Sequence, residues 1–267
     1  MGRRRWQALL LSLLPAFAAA GDAPPLNALP AVAIIIDDIG NNLEYGARAA
    51  LLPGAVTCSV LPHTVYGATL AEDAHRNGKE VMLHLPMQSE DGQDPGPGAL
   101  TLAMNRDEFL RTFRDDLGTV PYAVGVNNHM GSLITRHPGD MSWLMRELRR
   151  RGNLYFVDSR TTGATVAQRV AEEQAVPNLR RNVFLDNEQT PAAIDRQFRR
   201  LLALARRRGS AVAIGHPHPA TLAFLEQRLP ALAAQGIRLL PVSRVIQLQQ
   251  VPPRQHYAAA PAGIATP

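Results

Sequence analysis

Two adjacent carboxylates, Asp37 and Asp38, end the apolar run of "AVAIIIDDIGNN" (31–42). Like charges at close range raise each other's pKa unless a cation compensates, and a divalent metal does so. One carboxylate can then bind the metal while the other handles protons. Other polar residues follow other apolar runs: His63 after SVLP, His84 within VMLHLP, and Asn127-Asn128-His129 after VGV. Asp158-Ser159-Arg160 follows LYFV, Asp186-Asn187 follows NVFL, and His216-Pro217-His218 follows AVAIG. A carboxylate with neutral imidazoles and an open position for water is a hydrolytic metal site. On this chemistry Asp38 binds metal and Asp37 activates the water.

The elements that must position these residues are legible as alternation. Apolar runs stand at 31–36, 55–61, 80–85, 122–126, 154–157, 182–185, 211–215 and 237–242. Helical patterns separate them at 43–52, 66–77, 106–118, 139–151, 190–208 and 220–234. Asn105 followed by acids marks one helix start, and Thr190-Pro191 another. Continuous apolar strands alternating with helices predict a parallel sheet covered by helices. Seven or eight such units predict a barrel, whether complete, incomplete or distorted, with an open doubly wound sheet as the alternative. In either fold the active site forms at the C-terminal strand ends, where the Asp, His and Asn residues gather. The segment 88–100, "QSEDGQDPGPGAL", is a long Gly/Pro loop of the kind that often carries function.

The first residues, "MGRRRWQALLLSLLPAFAAAGDAPP", set three arginines before an apolar run and small residues, the pattern of a secretory signal with cleavage near Ala20. The run is too short and too broken by proline for a stable transmembrane span. The expected organisation is signal peptide 1–20, linker 21–30, one domain over 31–248 and a disordered tail over 249–267. The whole chain carries a formal +5, and removing residues 1–20 removes three arginines and no acid, leaving +2. The remaining arginine clusters, "RELRRR" and "ARRRG", fall at helix C-termini, where the helix dipole favours cations. Nucleic acid is therefore not an expected partner. Cys58 is the only cysteine, so no intrachain disulfide forms.

Five motifs in order, "IIIDDIGNN", "VMLHLPMQ", "GVNNHMGSLIT", "FVDSRTT" and "AIGHPHPAT", closely resemble the divergent polysaccharide deacetylases over residues 31–245. The resemblance implies a distorted (β/α)7-type barrel, parallel strands with outer helices. It implies Asp37 as general base, Asp38 as metal ligand and His216 as general acid. The larger carbohydrate esterase group carries H-[ST]-x-x-H. Here "NHMGSL" keeps His129 but has Ser132 and Leu133 where a second histidine falls, and His84 is inferred to complete the ligand set. The group's Arg-Pro-Pro motif is missing, and "DSRTT" partly replaces it with Asp158 and Arg160. Asn128, Ser132 and His218 complete the expected substrate-binding set. Asp186 is expected to cap or to support another residue; His63, His75 and His137 read as surface or loop residues.

The implied activity is hydrolysis of an N-acetyl group on an envelope polysaccharide such as peptidoglycan glycan, in an exported, periplasmic protein. Zinc is the first choice of divalent metal, with manganese, iron or nickel open. A non-catalytic envelope binding or regulatory protein on the same fold is the alternative, and a hydrolase or lyase acting on a different bond is a third class.

Overall fold

The computed structural model describes residues 29–250. The expected signal peptide, most of the linker and nearly all of the tail lie outside the described residues. No described helix is long and apolar enough to cross a membrane.

Among the described residues nine parallel strands form one sheet: β1 Ala31–Ile39, β2 Thr57–Val60, β3 Glu80–Met87, β4 Ala123–Met130, β5 Tyr155–Asp158, β6 Asn178–Arg180, β7 Val183–Phe184, β8 Ser210–Gly215 and β9 Arg238–Leu239. Their order is β6-β5-β4-β3-β2-β1-β8-β7, with β9 also on β1. The path curls into the expected distorted barrel, open along one seam. Its end strands β6 and β7 are consecutive in the chain, separated by Arg181 and Asn182. The Arg181 amide bonds to the Asp158 carbonyl of β5, and the Asn182 amide to the Val212 carbonyl of β8. The chain itself thus crosses the seam.

Alternation sorts the strand residues onto two apolar faces, as a sheet buried on both sides requires. Val32, Ile34 and Ile36 face the outer helices: α1 Leu43–Leu51, α2 Gly67–Arg76, α3 Arg106–Thr119, α4 Pro138–Arg151, α5 Ala167–Glu173, α6 Pro191–Arg208 and α7 Pro219–Arg228. Ala33, Ile35, Met82, Tyr155, Val157, Val212 and Ile214 fill the interior. There they meet Val242, Val245 and Ile246 of α8, Val242–Gln250. One step further along the same inward faces the filling turns polar: Asp37 follows Ile35, and His84 follows Met82. The interior is a floor of mostly apolar side chains under a polar layer.

Caps behave as expected. Asn105 and Glu108 form a reciprocal capping box at α3, and Thr190 accepts from the Ala193 amide at α6. The helix expected over 220–234 stops at Arg228 and continues as two short 3-10 turns, because Pro230 lacks an N–H and crowds the preceding turn. The strand expected over 237–242 shortens to Arg238–Leu239 before Pro241. β6, α5 and α8 are elements the periodicity did not reveal, and α8 runs two residues past the expected domain end at 248.

Candidate metal centre

Strict alternation would send Asp37 inward and Asp38 out among the helices. A β-bulge prevents this. Ile36 pairs with Cys58 and Ile39 with Val60, so β1 spends three steps where β2 spends two. Asp38 takes up the extra residue at φ +56, a left-handed conformation that Asp tolerates better than most residues. The bulge turns both carboxylates to the mouth of the barrel. Met130 and Arg160, at the ends of β4 and β5, are also left-handed. Backbone strain of this kind gathers where a rim is built for a purpose.

Asp38 Oδ1 lies 3.1 Å from His84 Nε2 and 3.0 Å from His129 Nδ1, and the two nitrogens are 3.1 Å apart. The oxygen is buried yet has no hydrogen-bond partner among the described residues. Such an orphan is costly unless something else satisfies it. Three ligand atoms with edges near 3 Å match the spacing of atoms each about 2.1 Å from a common ion. The donor set, two imidazoles and one carboxylate, suits a divalent transition metal. The residues present fit the group.

Asn127 fixes the tautomer. Its Nδ2 donates to Asp37 Oδ1 at 2.8 Å, so its Oδ1 faces the other way. That oxygen accepts from the Ser59 hydroxyl and from His84 Nδ1, both at 2.8 Å. His84 therefore carries its proton on Nδ1 and presents the Nε2 lone pair to the centre. Asp37, Ser59, His84 and Asn127 are all at most 3% exposed, so this network is shielded from water.

The field at this point favours a cation. Burial pushes the Asp38 carboxyl up, but the adjacent His129 and His84 imidazoles outweigh it and hold Asp38 far below the usual carboxylate range. Burial pushes the His84 imidazole down, and Asp37 with Asp38 more than reverses it. Across the mouth, His216 Nε2 stands 3.9 Å from Asp38 Oδ2. Its Nδ1 is 2.9 Å from Asp186 Oδ1, while Asp186 Oδ2 accepts from the His216 amide at 2.6 Å and from the Thr221 hydroxyl at 2.8 Å. Burial works against the imidazolium, but Asp186 overrides it and pushes His216 up to about 9.

The structure thus gathers Asp37, Asp38, His84, His129 and His216 around one opening. The other expected residues go elsewhere. Asn128 donates to the Met130 carbonyl at 2.8 Å and accepts from the Ser159 amide at 2.9 Å. The Ser132 hydroxyl accepts from the Glu90 amide at 2.9 Å, tying down the 88–100 loop. Asp158 accepts from the Arg160 amide, the Thr165 hydroxyl and the Gln168 amide, which orders the approach to α5. His218 Nε2 lies 3.0 Å from Gln189 Nε2 at the rim. Arg160 lines a groove at the seam.

Three supporting residues lie behind the groups that face the opening: Asn127 and Asp186 stood among the strand-end polar residues, Asp186 already expected in a supporting role, and Arg181 alone carried no sequence signal. Asn127 is the hub of the network, and Asp186 supports His216. Arg181, between two very short strands, donates to the Ser159 and Arg160 carbonyls at 2.6 and 2.8 Å and lies within electrostatic reach of Asp37.

A family model described as divergent polysaccharide deacetylase matches residues 34–246. The uncharacterized protein YibQ of Escherichia coli is 41% identical over 234 residues, which cover 86% of this chain and 73% of that one. An uncharacterized protein of Haemophilus influenzae is 35% identical over 222 residues, covering 83% and 79%. Among solved structures, an uncharacterized protein of Agrobacterium tumefaciens superposes with a TM-score of 0.78 at 24% identity, covering 81% of this chain and 89% of that chain. The peptidoglycan deacetylase PdaC of Bacillus subtilis superposes at 0.51 and 13% identity, covering 84% and 93%, a likeness of fold.

Proposed function

The chain belongs to the divergent polysaccharide deacetylase family, and from that premise we propose that it is an exported, metal-dependent hydrolase removing N-acetyl groups from an envelope polysaccharide such as peptidoglycan glycan. The observation that carries this reading is the triangle of Asp38 Oδ1, His84 Nε2 and His129 Nδ1 beside a separately held acid and base. Asp38, His84 and His129 would hold the divalent metal, zinc by first choice, which supplies a Lewis acid for the acyl carbonyl and a more acidic water.

The chain's own groups handle the protons. Asp37 is anchored through Oδ1 by Asn127, and its Oδ2 is 3.6 Å from His84 Nε2, at the edge of the centre. It takes the proton as the water oxygen bonds to the acyl carbon. His216, oriented through Nδ1 by Asp186, offers its Nε2 proton to the leaving nitrogen as the C–N bond breaks. Acetate and a glycan amine result. The arginine-led apolar N-terminus supports export, and an envelope glycan is the polymer an exported chain meets.

The test uses Asp37→Asn, with N-acetyl release from chito-oligosaccharides and from peptidoglycan glycan strands as the readout. The variant is expected to keep its metal and to lose activity by about 10²- to 10⁴-fold. Wild-type protein that holds metal but releases no acetate would instead support the non-catalytic envelope-binding protein.

A further inference from the structure

The open seam of the barrel is a groove of about 660 Å³, separate from the metal centre's mouth. β7 reaches only down to Val183 and Asn182 pairs with both backbone groups of Val212, so only the start of β8 at Ser210 faces β6 across a gap. Arg180 of β6 stands on one side and Arg208, at the end of α6, on the other. Arg160 and Arg169 close the α5 side. Arg169 pairs with Glu173. Among the described residues, the guanidinium groups of Arg160, Arg180 and Arg208 make neither an ion pair nor a hydrogen bond. Two carboxylates line the same groove. Asp158 is spent on its own loop, which leaves Glu172 against three unpaired cations.

We propose that this seam binds the carboxylates of an acidic glycan strand whose neighbouring sugar enters the metal centre. This inference rests on the deacetylase reading and names the chemistry of its substrate. Guanidinium groups match carboxylates in planar, two-point geometry, and three of them around a cleft of this size suit an extended anion better than a single ion. The Ser159–Arg160 stretch is the wall shared by groove and centre. Its carbonyls hold Arg181, and Arg160 lines the groove. A strand leaving the seam at its Arg160 end therefore emerges on the side of the barrel where the catalytic opening lies. The competing account is that the arginines merely keep the bare start of β8 from pairing with another chain.

The experiment is calorimetric binding to the full metal-loaded chain. Glycan strands of alternating N-acetylglucosamine and N-acetylmuramic acid, bearing one carboxylate per disaccharide, are compared with neutral chito-oligosaccharides of equal length. Two or three exposed ion pairs predict binding about tenfold tighter for the acidic strand, eroded by salt. In Arg180→Ala/Arg208→Ala that advantage is expected to vanish, while the unfolding midpoint, followed by circular dichroism, reports the fold. Arg160→Ala checks the shared wall separately. Equal affinity for both glycans, no detectable binding of the acidic strand, or an advantage that survives the double substitution overturns the inference. Acetate release from the neutral oligomer tests the deacetylase reading alone. Its failure with acidic preference intact would sink that reading and leave the groove.

Discussion

Among the described residues two His–Asp assemblies have an orphaned carboxylate oxygen, and they are opposites. At the barrel mouth, Asp38 Oδ1 is met by imidazoles from two different strands, each at 3.0 to 3.1 Å. Outside the barrel, Asp116 on α3 is 0% exposed, meets only His63 Nε2 at 2.9 Å, and leaves its Oδ2 without a partner. Gly98 seals that crevice; a Cβ there would lie 2.0 Å from Asp116 Oδ1. Burial, helped by Asp115, pushes the Asp116 carboxyl up to about 8, whereas Asp38 is held far below its ordinary value. The difference is convergence. A centre for a cation needs ligand atoms arriving from independent elements, each braced from behind, as Asn127 braces His84. One imidazole against a closed crevice makes a buried neutral acid.

The comparison breaks most completely at the metal itself. Asp38→Ala and His129→Ala are each expected to weaken metal binding by about 10³-fold or more. Elemental mass spectrometry on purified protein should find the metal gone from both and undiminished in His63→Ala. Metal retained in Asp38→Ala, or lost in His63→Ala, would reverse the assignment of the two sites. A smaller effect sharpens it. Asn127→Ala removes the brace without touching a ligand, and metal affinity should fall by about 10- to 100-fold in a competitive chelator titration. Unchanged affinity would mean that His84 is oriented by packing alone.

Much of this was legible in the sequence because parallel strands are buried on both faces and read as unbroken apolar runs. An Asp-Asp pair terminating such a run is conspicuous. How both carboxylates reach one opening was not legible, since a bulge and a left-handed residue leave no mark in residue types. Asn127 and Asn128 make the same point. They are chemically identical neighbours, yet alternation makes one the hub and the other a loop tie, and only the register of β4 on β3 decides which. β6 has three residues and α5 seven, too short for periodicity to register. His63 gave no signal because its partner is 53 positions away on a helix whose visible pattern was its apolar face.

At Asp116 the expected effect is on stability and its sign follows from the pKa. The folded carboxyl titrates at about 8 and the unfolded one at about 3.9, so the folded state binds the proton more tightly. Stability is then greatest below the unfolded value and falls as pH rises through this window to about 8. Asp116→Asn keeps the shape without the charge. Its advantage over wild type should grow between pH 5 and pH 9 by on the order of 1 kcal/mol, after the partial relief His63 gives the anion. Differential scanning calorimetry at both pH values measures it. An advantage that is flat or shrinks with pH would show the carboxylate well accommodated, and the contrast with Asp38 would lose its basis.

The smallest effect separates a loop tie from a substrate contact. Ser132 sits beside the centre in sequence, three residues after His129, and its hydroxyl is occupied by the Glu90 amide. The same loop is also held by the Leu133 and Ile134 amides on the Gln88 carbonyl at 3.2 and 3.3 Å, and by the Arg136–Glu90 ion pair. Losing one of several ties at a partly exposed position should cost about 0.5 kcal/mol. Ser132→Ala should therefore lower the unfolding midpoint slightly, leave metal content intact and leave KM for the glycan unchanged. A KM raised several-fold with the midpoint unmoved would mean that the hydroxyl leaves Glu90 for the sugar. Loop 88–100 would then be part of the binding surface, released when substrate arrives, and Ser132 would belong with Asp37 and His216 as a residue that faces the ligand.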